Sequence, residues 1–270
     1  MRSSDESVVR PAQVEDLRLV GVDPSNVWDA ALPAARVTGS RVRSPVGIVP
    51  AAGHARRLQP VLSGSKEVYP IGGRPVIDYL LERMDAASCA EIRVVTRPEK
   101  LDVVDHARSS GATVVLARPA SVSESLLSGI EGLGGETAVV FGFPDTLWQP
   151  RDGFVRLLAA LRPGVAAVLG IFRADEPERS DVVRMEGDRV TAVEVKPARP
   201  SSDLVWGCAA AWAGALRGVQ SGAEPGQHLG ELARRGLIRG VRLCDPFVDI
   251  GTPEALRRAR ERVPNGGGEE

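Results

Sequence analysis

Cysteine is scarce in this chain. Its 270 residues hold three, Cys89, Cys208 and Cys244, an odd number without metal-ligand spacing, each in or beside an apolar stretch. That argues against a disulfide framework or a thiolate metal centre and fits buried thiols in a reducing compartment. An excess of one charge is also missing. Thirty-four basic and 35 acidic residues leave a net charge of −1, which argues against a nucleic-acid footprint over the whole surface. No stretch approaches the ~20 apolar residues of a membrane span. The opening residues are acidic early and have no apolar core of a secretory signal, so a cytoplasmic location and no membrane partner are expected. Familiar catalytic signatures are absent too. There is no Gly-x-x-x-x-Gly-Lys-Ser/Thr of a P-loop, no Gly-x-Gly-x-x-Gly after the first strand and no Gly-x-Ser-x-Gly. His54 and His106 suggest no catalytic pair.

What is present is an alternation. Strand-like runs at 46–50, 91–96, 112–117 and 137–142 are separated by helix-like stretches at 75–87, 98–109, 121–132 and 151–162. Short Val/Ile-rich strands alternating with amphipathic helices predict parallel βαβ units, with strands covered on both faces. After residue 163 the strand-like runs 165–172, 181–186, 189–195 and 206–212 arrive with little helix between them. Gly187-Asp188 reads there as a tight hairpin. A helical stretch at 227–236, a strand-like run at 237–244 and a helix over 253–263 close the pattern. We read one α/β domain over 45–263 with a Rossmann-like, mostly parallel mixed sheet flanked by helices. Residues 1–44, punctuated by Pro11, Pro24 and Pro33 and followed by Pro45, read as a weakly ordered extension, a docking arm or the product of an early start codon, and 264–270 as a flexible tail.

The most informative segment is 47–79. The apolar run Gly47-Ile48-Val49-Pro50 is followed by Ala51-Ala52-Gly53, residues small enough for the main chain to approach a ligand closely. Arg56, Arg57 and Lys66 follow in a Gly-, Pro- and Ser-rich stretch. Backbone amides and basic side chains converging after a strand are a common anion site. Arg56 taken singly reads as a solvated surface charge. Phe141-Gly142-Phe143-Pro144-Asp145 puts a carboxylate just past the end of an apolar strand, where open α/β sheets bind ligands. A second carboxylate, Asp249, precedes Gly251-Thr252-Pro253, in which Thr252 suits a helix N-cap and Pro253 the first helical position. Taken singly, each aspartate is more often a turn or capping residue.

In this order the segments resemble the sugar-1-phosphate nucleotidylyltransferases (NDP-sugar pyrophosphorylases). The resemblance rests on Ala51-Ala52-Gly53, Arg57-Leu58-Gln59-Pro60, Ser65-Lys66-Glu67, Gly73-Arg74-Pro75-Val76-Ile77-Asp78-Tyr79, Glu194-Val195-Lys196-Pro197 and Phe247-Val248-Asp249-Ile250-Gly251-Thr252-Pro253. It implies a nucleotide-diphospho-sugar transferase fold and a reaction joining an NTP to a sugar 1-phosphate, with pyrophosphate released. It also implies that Asp145 and Asp249 hold Mg²⁺, which takes few protein ligands and several water or phosphate oxygens. Arg57, Lys66 and Lys196 would neutralise the phosphates, beside Asp145 as the catalytic set. Ala51, Ala52, Gly53, Arg56 and Arg118 would face the nucleotide, while Asp181, Lys196 and Gly207 would face the sugar. Homo-oligomers are common in such relatives.

The chain departs from that pattern in three places. Pro144 stands where the family usually has Gly, Val195 where Glu is frequent before the lysine, and Asp181 where relatives often have Gly. On the base side, Arg118 and Glu124 are candidates for a base edge, although Glu124 reads better as a capping-box partner of Ser121. Two other readings share these features. One is a related cytidylyltransferase or glycosyltransferase; the other is a binding or regulatory module that keeps the pocket without turnover.

Overall fold

The computed structural model describes residues 44–55, 58, 62, 64–244 and 247–263. Residues 1–43 of the expected extension, the tail 264–270, Arg56 and Arg57 lie outside the described residues. In chain order the strands are β1 (Val46–Pro50), β2 (Pro70–Ile71), β3 (Arg74–Pro75), β4 (Glu91–Thr96), β5 (Thr113–Leu116), β6 (Ala138–Gly142) and β7 (Thr146–Trp148). They continue with β8 (Ala167–Arg173), β9 (Val182–Glu186), β10 (Arg189–Glu194), β11 (Leu204–Trp212), β12 (Ile238–Arg242) and β13 (Phe247–Asp249). The helices are α1 (Val76–Ala86), α2 (Leu101–Ser109), α3 (Val122–Gly129), α4 (Gly153–Ala160), the short α5 (Ala213–Leu216), α6 (Pro225–Arg234) and α7 (Pro253–Arg262).

One sheet organises the chain, in the order β5-β4-β1-β6-β11-β8-β12-β10-β9. Its β5, β4, β1 and β6 run parallel, as do β8 and β12, whereas β11 and β10 run against their neighbours. The expected hairpin at Gly187-Asp188 joins antiparallel β9 and β10, with Gly187 at φ 61°, a value that favours glycine. β1 is buried at every position because both faces of the sheet are covered. On one face Val49 and Val140 pack with Leu80 and Met84 of α1, Val103 of α2 and Phe154 of α4. On the other, Ile48 and Phe141 share a cluster with Leu126 of α3, Leu216 of α5 and Leu229 of α6.

Two local differences from the sequence reading have plain causes. The helix expected over 98–109 begins only at Leu101, because Pro98 and Glu99 form a turn after β4. The helix expected over 121–132 stops at Gly129, and Gly132 turns the chain with φ 77°. Among the described residues no helix is long and apolar enough to cross a membrane.

β7 and β13 form a separate two-stranded ribbon, with Thr146 opposite Asp249, Leu147 opposite Val248 and Trp148 opposite Phe247. Its apolar side closes on Val76 and Tyr79 of α1 and Leu256 and Ala259 of α7. Arg83 of α1, only 3% exposed, donates to the carbonyls of Tyr79 and Trp148, and its guanidinium lies 4.8 Å from the Trp148 ring centroid. Burial pushes its pKa down to about 10. This buried cation anchors the ribbon to the main domain.

Candidate active site

The C-terminal ends of β1, β4 and β6 open on one cleft of about 1120 Å³. Its wall includes Ala52 and Gly53 after β1, Arg97 after β4, Lys66 and Glu67, and Asp145 after β6. Further along it are Asp181, Lys196 and Trp206, and the ribbon and α7 add Asp249 and Thr252. Sheet order explains the convergence: parallel strands all present their C-terminal edges on the same side.

Lys66 begins a single 3-10 turn, Lys66–Val68. Ser65, just before it, donates its amide and hydroxyl to Asp102 of α2 at 2.7 and 2.8 Å. This fixes the turn, and the Lys66 ammonium pairs with Oδ2 of Asp145. Burial on its own lowers a lysine pKa. Here the charge of Asp145 and its hydrogen bond, then the charges of Glu67 and Asp249, more than offset burial and raise it, so Lys66 stays a cation.

Asp145 and Asp249 are brought together by the ribbon. Ile250 donates its amide to the carbonyl of Asp145 at 3.0 Å, and Asp249 faces Thr146. Oδ1 of Asp249 accepts the Gly251 amide at 2.7 Å. Thr252 then caps α7 by accepting from the Ala255 amide at 3.2 Å, and Pro253 is its first residue, as the sequence predicts. The two carboxylates are hard oxygen donors, and among the described residues no third His, Cys, Asp or Glu joins them to complete a metal cluster. That donor set suits Mg²⁺, which completes an octahedron with water and phosphate oxygens. The Lys66 ammonium seated on Asp145 marks the same place as one that favours positive charge.

At the other end of the cleft, Lys196 follows β10 in a left-handed conformation, φ 40°, and pairs with Glu224 at 2.7 Å. Asp181 sits beneath it. Its Oδ2 accepts from Trp206 Nε1 at 3.3 Å, whereas Oδ1 is buried without a hydrogen-bond partner. Burial raises the Asp181 pKa to about 6, helped by the Glu224 charge and opposed by Lys196. The Trp206 ring packs on Phe141 and Phe143, with centroids 6.1 and 5.4 Å away.

Not every residue marked in the sequence lies in the cleft wall. Ala51 is fully buried behind it. Arg118 is exposed and pairs with Glu99 at 2.8 Å, next to Pro119 and Ala120 of the cleft lining but not itself part of it. Gly207, expected against the sugar, is buried at a register shift of β11. A Cβ there would stand 2.4 Å from the Phe247 ring, so this glycine makes room for a side chain of the protein. Glu124 is a cap: its amide donates to Ser121 Oγ at 3.2 Å and its carboxylate accepts the Ala120 amide at 2.6 Å.

The sequence reading missed Arg97 and Lys100. Lys100 donates to the carbonyls of Ala51 and Gly53 at 2.8 and 3.1 Å and to Glu67 Oε2 at 2.6 Å. Arg97 donates from Nε to the Ala52 carbonyl at 3.0 Å and from Nη2 to Pro119 at 2.5 Å. Burial pushes the Glu67 carboxyl up, against the pull of Lys100. Two basic residues just past the end of β4 were the available signal.

Similarity to known proteins agrees with this architecture. A Neisseria gonorrhoeae glucose-1-phosphate thymidylyltransferase is 30% identical over 169 residues, covering 58% of this chain and 57% of that protein. A Bifunctional protein GlmU of Rhodopseudomonas palustris is 26% identical over 166 residues, covering 60% of this chain and 36% of that protein. The match thus spans little more than half of the first relative's length and about a third of the second's. Among solved structures, a Bacillus anthracis protein provisionally assigned as a glucose-1-phosphate thymidylyltransferase, in complex with a sucrose, superposes with a TM-score of 0.74 at 18% identity. It covers 84% of this chain and 98% of its own. A UDP-glucose pyrophosphorylase complexed with UDP-glucose gives 0.68 at 19%, covering 81% and 97%. These two share the fold. Residues 47–242, which carry the sheet and most of the cleft, match the MobA-like NTP transferase domain, and the chain belongs to that family.

Proposed function

We propose that this chain is a nucleotidylyltransferase that joins a sugar 1-phosphate to an NTP, giving an NDP-sugar and pyrophosphate. One observation carries this reading: Gly53, Lys66, Asp145, Lys196 and Asp249, spread over almost 200 residues of sequence, line a single cleft. The curated relatives support a sugar phosphate and an NTP as substrates.

Two polyanions repel each other, so the first task of the site is to hold them together. Lys66 brings a permanent cation to the nucleotide end and Lys196 another to the sugar end. A phosphate monoester is already ionised near neutrality, so its oxygen attacks the α-phosphorus in line without a general base. Catalysis is then positioning and charge neutralisation. Asp145 and Asp249 would hold Mg²⁺, whose chemistry when bound is neutralisation of the phosphate oxygens. Arg57, from its place in the sequence, is assigned to the leaving pyrophosphate.

The test is pyrophosphate release from a panel of NTPs paired with sugar 1-phosphates in Mg²⁺. Release that requires both substrates is expected for at least one pair. NTP binding without release from any pair would replace this reading with that of a binding module.

A further inference from the structure

We propose that Lys100 and Arg97 are positioning residues for the nucleotide phosphates, turning the carbonyls of residues 51–53 away from the anion. The inference rests on the nucleotidyl-transfer reading of the cleft and adds residues that the reading does not use. A phosphate oxygen and a peptide carbonyl are both negative, so a phosphate loop works only if its amides face the ligand. Residues 51–53 have three carbonyls, and all three are held by cations from the segment after β4. Lys100 takes Ala51 and Gly53, and Arg97 takes Ala52. Thr96 adds its hydroxyl to the Ala51 carbonyl at 3.3 Å.

Lys100 is a support and not a ligand of the substrate. An ammonium has three N–H donors, and its three partners here are Ala51, Gly53 and Glu67. Glu67 directly follows Lys66 and is only 1% exposed. The same ammonium therefore clamps the Lys66 turn to the loop after β1, where the Ala51 amide is spent on the Val95 carbonyl, so that the Ala52 and Gly53 amides and the cation approach the phosphates as one unit. Arg97 extends the clamp through Pro119 to the far wall of the cleft. The second oxygen of Glu67 is buried without a partner, and a Cβ at Gly53 would lie 4.0 Å from it. A carboxylate left half-satisfied is tolerated only beside a cation this well held.

The experiment compares wild type with Lys100→Met, which keeps the aliphatic stem, and Arg97→Ala. Amide hydrogen exchange over 51–55 is measured alongside calorimetric binding of Mg²⁺-tripolyphosphate, a probe with no base or sugar. Both variants should exchange faster in that loop, with β6 unchanged. Each should bind tripolyphosphate about ten- to a hundredfold more weakly, the scale of one charge-assisted hydrogen bond. KM for the sugar 1-phosphate should stay within about twofold. Unchanged exchange in both variants overturns the clamp. Faster exchange with unaltered tripolyphosphate binding also overturns it, since the loop would then be ordered for another purpose. Tripolyphosphate that fails to bind wild type, with the exchange difference present, instead removes the nucleotidyl-transfer reading beneath it.

Discussion

Lys66 and Asp145 form an ion pair across the cleft although 79 residues separate them in the chain. The lysine is largely enclosed, 18% exposed, and kept charged by three carboxylates, of which Asp145 contributes most. Replacing Lys66 with Ala removes the cation from the end of the cleft proposed for the nucleotide. Turnover is expected to fall on the order of 10²–10³-fold, as for other electrostatic stabilisers. Circular dichroism should show an unchanged fold. Near-native pyrophosphate release from this variant sinks the role given to Lys66.

Asp249→Asn retains an oxygen for the Gly251 amide but loses the charge. If Asp145 and Asp249 share Mg²⁺, the variant should need more Mg²⁺ for half-maximal turnover and lose activity by about 10²-fold. Titrating Mg²⁺ at saturating substrates reads both effects. An unmoved Mg²⁺ requirement removes Asp249 from the metal site.

Asp181 links the cleft to stability through pH. Its folded pKa is raised from 3.8 to about 6, so between those values the folded chain binds more protons than the unfolded one. Stability contributed by this group is therefore lost as pH rises through that window, and the cost is complete above it. Asp181→Asn should gain stability relative to wild type at pH 8 compared with pH 4, by at most about 3 kcal/mol. Urea unfolding at both values gives the difference. A gain confined to pH 4 contradicts the sign.

Gly207→Ala would place a methyl 2.4 Å from the Phe247 ring, which stacks on Phe172 at 4.9 Å and sits two residues before Asp249. Overpacking of this kind costs about 1–3 kcal/mol. The ribbon carrying Asp249 must shift, so a lower melting temperature should come with a raised Mg²⁺ requirement. A loss of stability with unchanged Mg²⁺ dependence would show the ribbon to be uncoupled from the proposed metal site.

Most of the fold was legible in the chain. β1 and β4 occupy the spans expected of them: β1 is an unbroken apolar run covered on both faces, and β4 keeps Val94 and Val95 in the core while Glu91 and Arg93 are partly exposed. The Thr252 cap was legible because a cap is a contact between residues three apart. Less of the cleft could be read. Arg118 is a base-edge candidate only through the family resemblance, and the structure pairs it with Glu99 at the surface. Gly207, expected to face a sugar, packs closely against Phe247. Both placements turn on which neighbour arrives from elsewhere in the chain.

The sequence by itself determined the βαβ alternation, the small-residue turn after β1 and the carboxylates beyond β6 and before α7. Burial periodicity and turn chemistry act over a few residues and are written locally. Only the tertiary structure decided that Lys66 meets Asp145, that a two-stranded ribbon sets Asp249 beside it, and that Lys100 holds the carbonyls of the loop in front. Those contacts follow from strand order and from a ribbon outside the main sheet. Such pairings are set by the packing of distant segments, and no local window of residues contains them.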